Sequence, residues 1–167
     1  MFGRKKEKSA PQQPFQLQVL TTEYLIEGTA ENDQQFYIPN GTEHWSPVVL
    51  TDVSITSVND NDIPVRKAET FEIQGEAIIA FIPLKDATSM AQYASYLEYE
   101  EEMEGVFYVG PYLIEGTLLN VGNDFFAPAL LITEATVRHI NPKSRLKEIK
   151  SPNILINTFW LHGREVK

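Results

Sequence analysis

The chain has no cysteine. Disulfides, thiolate zinc sites, iron–sulfur clusters and cysteine nucleophiles are excluded, and the absence fits a reducing compartment. Long apolar runs are missing too: nothing approaches the roughly 18 residues that a membrane helix needs. No apolar stretch follows the basic start, so a signal peptide is not expected there. The reading is a cytoplasmic chain with no membrane span. Histidine is scarce, and His44, His139 and His162 stand alone, in no metal-binding spacing. No nucleophile-elbow glycine pattern accompanies them. Residues 59–62, NDND, lack the Gly and the distant Glu of a calcium loop, so they read as a polar hairpin turn. No catalytic residue, metal site or cofactor is predicted, and no small-molecule substrate is evident.

Positive charge is also in short supply. The net charge is −9 over 167 residues. Arg4, Lys5, Lys6 and Lys8 against Glu7 put +3 in the first eight residues, which leaves −12 on the remainder. An acidic body repels nucleic-acid phosphates at long range. Residues 1–14 read as a flexible basic tail with two prolines.

What the chain has is strand-forming sequence broken by turns, with ten prolines and nine glycines. FQLQVL alternates with the period of a half-buried strand. YLIEGTAEN continues as a second strand, with Tyr24 and Ile26 on one side, Leu25 and Glu27 on the other, and a bend permitted at Gly28. VVLTDVSITSV predicts a third, with Val49, Thr51, Val53 and Ile55 on one face. ETFEIQGEAIIAFIPL follows as one long strand or two joined at Gly75.

The second half repeats the first. YLIEGT occurs at 24–29 and again at 112–117, an offset of 88. ITEATV at 132–137 falls on LTDVSI at 50–55, an offset of 82, so the first copy carries about six extra residues, placed near 40–45. Two copies of an all-β unit of roughly 60 to 70 residues are implied, a length at which a small domain can just fold. Glu27 and Glu115, like Asp52 and Glu134, occupy equivalent positions. The duplication accounts for both pairs without a catalytic role; for Asp52 and Glu134 a strand-end hydrogen bond is expected. Between the copies, residues 85–104 carry a candidate N-cap at Asp86, helical spacing at Met90, Tyr93, Ala94 and Leu97, and a stop at Gly105. One short helix is expected there, with an acidic end that the helix dipole disfavours.

In its order of motifs, each copy resembles a Sm-like (LSm) module. In that family a strand reading apolar-x-Gly-x-apolar precedes one ending in an acidic residue, and a late signature reads apolar-Arg-Gly. YLIEGTAEN, VVLTDVSI and FEIQGEAIIAFI keep that order, with Gln74 in place of Arg. In the second copy KSPNILI replaces the signature, and the Asp-x-x-x-Asn base-binding loop is missing from both copies. The chain is also similar to bacterial short-barrel proteins of unknown function. The resemblance implies an all-β fold of two tandem SH3-like, five-stranded Sm-like barrels joined by one short α-helix. Their bounds would be 15–84 and 105–167, with the helical linker at 85–104. It further implies that the modules join by pairing strand edges, typically into rings.

The function expected is therefore a structural or adaptor protein, with a protein partner or self-assembly through barrel edges and exposed aromatics. The alternative is RNA binding through the basic tail and the turn at 143–150. Adjacent aromatics in a strand point to opposite faces, so Phe126 and Trp160 are candidate contacts, each from an adjacent pair. Trp45, in the stretch peculiar to the first copy, is expected to tuck that loop down or to meet a partner. Ile156 in the uninterrupted ILINTFWL is a candidate interface edge. Lys143, Arg145, Lys147 and Lys150 form the one basic cluster of the body.

Overall fold

The computed structural model describes residues 14–31, 45–84, 101–120 and 129–167. The first half supplies β1 (Phe15–Leu20), β2 (Tyr24–Ala30), β3 (Val48–Ser57), β4 (Arg66–Ile73) and β5 (Ala80–Pro83). The second supplies β6 (Glu101–Val109), β7 (Tyr112–Asn120), β8 (Ala129–His139), β9 (Ile149–Asn157) and β10 (Leu161–Val166). All pair antiparallel in one sheet, in the order β10-β6-β7-β8-β9-β5-β1-β2-β3-β4. The order within each half is the same: the fifth strand beside the first, the fourth at the far edge.

The duplication holds element by element. The β3–β4 and β8–β9 registers superpose, Val53↔Ala68 matching Ala135↔Ser151, with β8 offset from β3 by 82 and β9 from β4, like β10 from β5, by 83. A 3-10 turn precedes the last strand of each half, at Gly75–Ala77 and Thr158–Trp160. Both halves also carry a β-bulge at the same place, between Glu27 and Thr29 and between Glu115 and Thr117. Opposite the bulges, Asp52 (φ 52°) and Glu134 (φ 49°) adopt left-handed backbone. The glycine of each YLIEGT lies against that bulge. A Cβ on Gly116 would sit 2.6 Å from Ile132 Cγ2 and 2.7 Å from the Thr133 carbonyl. On Gly28 it would meet Leu50 Cβ at 3.1 Å.

The bulge corrects the single face expected for β3. Before it, Val48 and Leu50 point inward and Val49 is exposed; after it, Val53 is inside. One extra residue reverses the parity of everything beyond it. The same geometry replaces the strand-end role expected for Asp52 and Glu134, which lie within their strands.

The expected helix is corrected in part. Residues 85–100 lie outside the described residues, but 101–104 pair with β7 as the start of β6. Residues 101–104 are thus strand and not helix, and no α-helix occurs among the described residues.

Two cores flank the sheet. One gathers Leu17, Val19, Leu50, Val53 and Phe81 with Leu131 and Leu155 of the second half. The other gathers Phe107, Tyr112, Ile114, Ile132 and Ile154 with Ala80 and Ile82 of the first. Successive residues of β5 and β9 alternate between the two cores. A stretch buried on both faces must be apolar, and this is why AFI (80–82) and ILI (154–156) carry no alternation.

Candidate functional site

The two halves meet where β5 pairs with β9, Ala80 opposite Ile156 and Phe81 opposite Leu155. Further bonds close this seam. The Asn157 backbone N–H donates to the Ile79 carbonyl (2.9 Å) and its side-chain amide to the Ile78 carbonyl (2.9 Å). Asn157 is buried, and its Oδ1 accepts from the Phe159 N–H at 3.1 Å, so donor and acceptor are both used. The buried Tyr112 hydroxyl donates to the Thr21 carbonyl at 2.6 Å. Desolvation raises its pKa above the usual phenol value, with the charge of Glu23 adding to the effect.

Of the residues expected to bind a partner, most serve the chain itself. Ile156 is fully buried in the seam. The edge it lies on pairs with β5 of the same chain. Trp45 is 5% exposed and stacks on Phe81 with ring centroids 4.9 Å apart, which makes it a core residue. Trp160 is half-buried, and its indole N–H donates to the Glu76 carbonyl at 3.2 Å. Its neighbour Phe159 is 70% exposed. The pair lies on a 3-10 turn, so the separation of one ring in and one ring out does not come from strand alternation. Phe126 lies outside the described residues.

The basic cluster is divided as well. Arg145 donates from its backbone to the Val58 carbonyl (3.0 Å) and from its guanidinium to the Ile63 carbonyl (2.8 Å). The turn of the second half thereby clamps the β3–β4 turn of the first. Lys150 stands 3.7 Å from Glu148, which also takes Arg138 at 2.7 Å. Arg138 lies 3.6 Å from Glu115, and Glu115 in turn takes Lys167. The Lys167 hydrogen bond and charge, then Arg138, hold the Glu115 carboxyl below the usual range. Arg138 does the same to Glu148. Lys143 and Lys147 are exposed. Lys147 lines an open cleft of about 600 Å³ between the halves, with Gln18, Leu25, Ser57, Arg145 and Glu148. Gln18 Oε1 has no hydrogen-bond partner among the described residues.

Among the described residues the sheet ends at two edges, β4 of the first half and β10 of the second. By the offset of 83 they are the counterparts of the two strands that form the seam. Sequence reasoning missed Tyr112 and Asn157 as residues of the seam. Tyr112 is 0% exposed while its counterpart Tyr24 is 42% exposed, a difference that the two identical hexapeptides do not signal. Among the described residues no group of His, Asp or Glu could hold a metal ion, and no helix is long and apolar enough to cross a membrane.

Comparison with known proteins returned no matching family model, no matching curated protein and no matching solved structure.

Proposed function

We propose that this chain is a non-enzymatic assembly protein of tandem Sm-like design, which joins other chains by strand pairing at its open sheet edges. One observation carries the reading. Its two halves are already joined by such a pairing at β5 and β9, and the counterpart edges β4 and β10 have no partner strand among the described residues. An uncovered edge presents a row of N–H and C=O groups that a further strand satisfies. The shared strand order of the halves, with their fourth and fifth strands at opposite ends, supports the Sm-like reading. RNA binding draws less support, because Arg145 and Lys150 are engaged within the chain.

The test is the native mass by light scattering, with absorbance at 260 and 280 nm recorded together. An oligomer or a protein complex free of nucleic acid is expected. A nucleic-acid-rich particle that falls apart in high salt overturns the proposal in favour of RNA binding. A monomer that captures no strand overturns it outright.

A further inference from the structure

From the comparison of the two halves we propose that the cleft between them binds a basic amino acid, a cation on an aliphatic stem that ends in a carboxylate. This site is independent of the assembly reading above. The second half shows what the first lacks. There Glu115 is met by two cations, Arg138 at 3.6 Å and Lys167. The registers put the same carboxylate of the first half at Glu27, because Gln18↔Glu27 corresponds to Val106↔Glu115. Leu25↔Thr56 corresponds to Leu113↔Arg138, so Thr56 stands where Arg138 does. Leu84 stands where Lys167 does: its backbone N–H donates to the Gln16 carbonyl, as that of Lys167 donates to the Glu104 carbonyl. The chain thus places neither cation at Glu27. Its partner among the described residues is the neutral Gln18 amide at 3.1 Å.

Threonine in place of arginine leaves space. Gln18, Leu25 and Thr56 line one side of the cleft of about 600 Å³, and the segment 145–149 lines the other. That volume lies in the range of small-molecule sites. Gln18 Nε2 donates to Glu27, while its Oε1 is shielded from water and has no donor. A shielded acceptor without a donor costs free energy, and a ligand N–H removes that cost. The terminal torsion of glutamine is broad, so the amide can turn to meet it.

The opposite wall supplies the other charge. Arg145 is committed to the carbonyls of Val58 and Ile63, and Glu148 to Arg138 and Lys150. Lys147 is exposed, and none of the ion pairs among the described residues uses it. It is the cation left to take a carboxylate. Leu25, Leu146 and Ile149 offer apolar surface to the methylenes of a stem. An amine without a carboxylate would meet Lys147 as a like charge, and an acid without a cation would meet Glu27 in the same way. A ligand with both ends satisfies both walls.

The test is a titration of L-arginine into the isotope-labelled full chain, followed by backbone amide chemical shifts. Saturable shifts at Gln18, Leu25, Thr56 and residues 145–149 are expected, with a Kd of about 1 mM or tighter. Glu27→Gln is expected to weaken binding at least about tenfold, and Glu115→Gln, at the counterpart position, to leave it unchanged. Thr56→Arg supplies the missing guanidinium from the chain itself and should abolish binding. Agmatine, which lacks the carboxylate, should bind about tenfold more weakly than arginine, and Lys147→Met should remove that difference. Acetylglycyl-arginine carries the same chemistry at a chain end. Tighter binding of this peptide assigns the site to the C-terminus of a peptide, and tighter binding of arginine assigns it to the free amino acid. Equal binding of agmatine and arginine overturns the zwitterion. No saturable shift up to about 10 mM, or binding that survives both Glu27→Gln and Thr56→Arg, overturns the site.

Discussion

Phe81 faces Leu155 at the inner seam; at the corresponding place on the outer edges stand Arg164 and Glu72. The backbone unit is the same and the neighbours differ. At the seam the paired residues Ala80, Phe81, Leu155 and Ile156 are buried and divide between two cores, so apolar side chains are required there. On the outer edges the flanking face meets water, and the same positions carry charge. One repeat thus places apolar side chains at the seam and charged ones at the corresponding edge positions. The charged version is also protected when alone, since a charged edge resists unplanned strand addition.

Substitutions at matched positions sharpen this contrast. The largest effect is expected for Ile156→Lys. A buried, unpaired ammonium at the seam should cost roughly 3 to 5 kcal/mol and bring the urea midpoint down sharply. Glu72→Lys, on the outer edge, should leave the same midpoint within about 0.5 kcal/mol. Equal losses would mean that the two junctions do not differ as described. Next in size is Gly116→Ala, whose Cβ meets the Thr133 carbonyl at 2.7 Å, with an expected loss of about 2 to 3 kcal/mol. Gly28→Ala meets its neighbours only at 3.1 Å and should cost about 1 kcal/mol or less. A reversed order in thermal unfolding would contradict the bulge geometry.

Tyr112→Phe leaves the Thr21 carbonyl without its donor and should cost about 1 kcal/mol, while Tyr24→Phe should be near neutral in the monomer. Tyr112 also predicts an alkaline signature. Its folded pKa is raised, so its contribution to stability is complete below the unfolded phenol pKa near 10 and is lost as pH rises beyond it. Denaturation curves between pH 9 and 12 should show that loss in the wild type and a smaller one in Tyr112→Phe. The smallest effect concerns Glu115 and Lys167. The folded pKa of Glu115 is lowered, so its contribution is present above the unfolded carboxyl pKa and fades as pH falls through the folded value. Lys167→Ala should flatten that acid dependence slightly, because the pair is exposed and screened.

Much of this architecture was legible from the residues. Twofold YLIEGT announced the repeat, and the glycine in it announced the bulge. What escaped was the parity switch in β3. Asp52 at positive φ has no mark in the sequence, because the left-handed conformation is imposed by the bulge and not by the residue. The apolar run ILI at 154–156 was legible as a buried or interface strand, but periodicity cannot say which strand it meets. That the partner is β5 of the same chain follows only from the three-dimensional order. Trp45 shows the same limit, since an aromatic in an inserted stretch can face outward or, as here, stack on Phe81 in the core.

The most direct measurement is amide hydrogen exchange at two protein concentrations, one well below and one well above the assembly range. The account predicts that β5 and β9 are protected at both. The outer amides of β4 and β10 should exchange fast when dilute and gain protection together when concentrated. If β4 and β10 exchange at the same rate at both concentrations, the open edges do not pair, and the central claim fails.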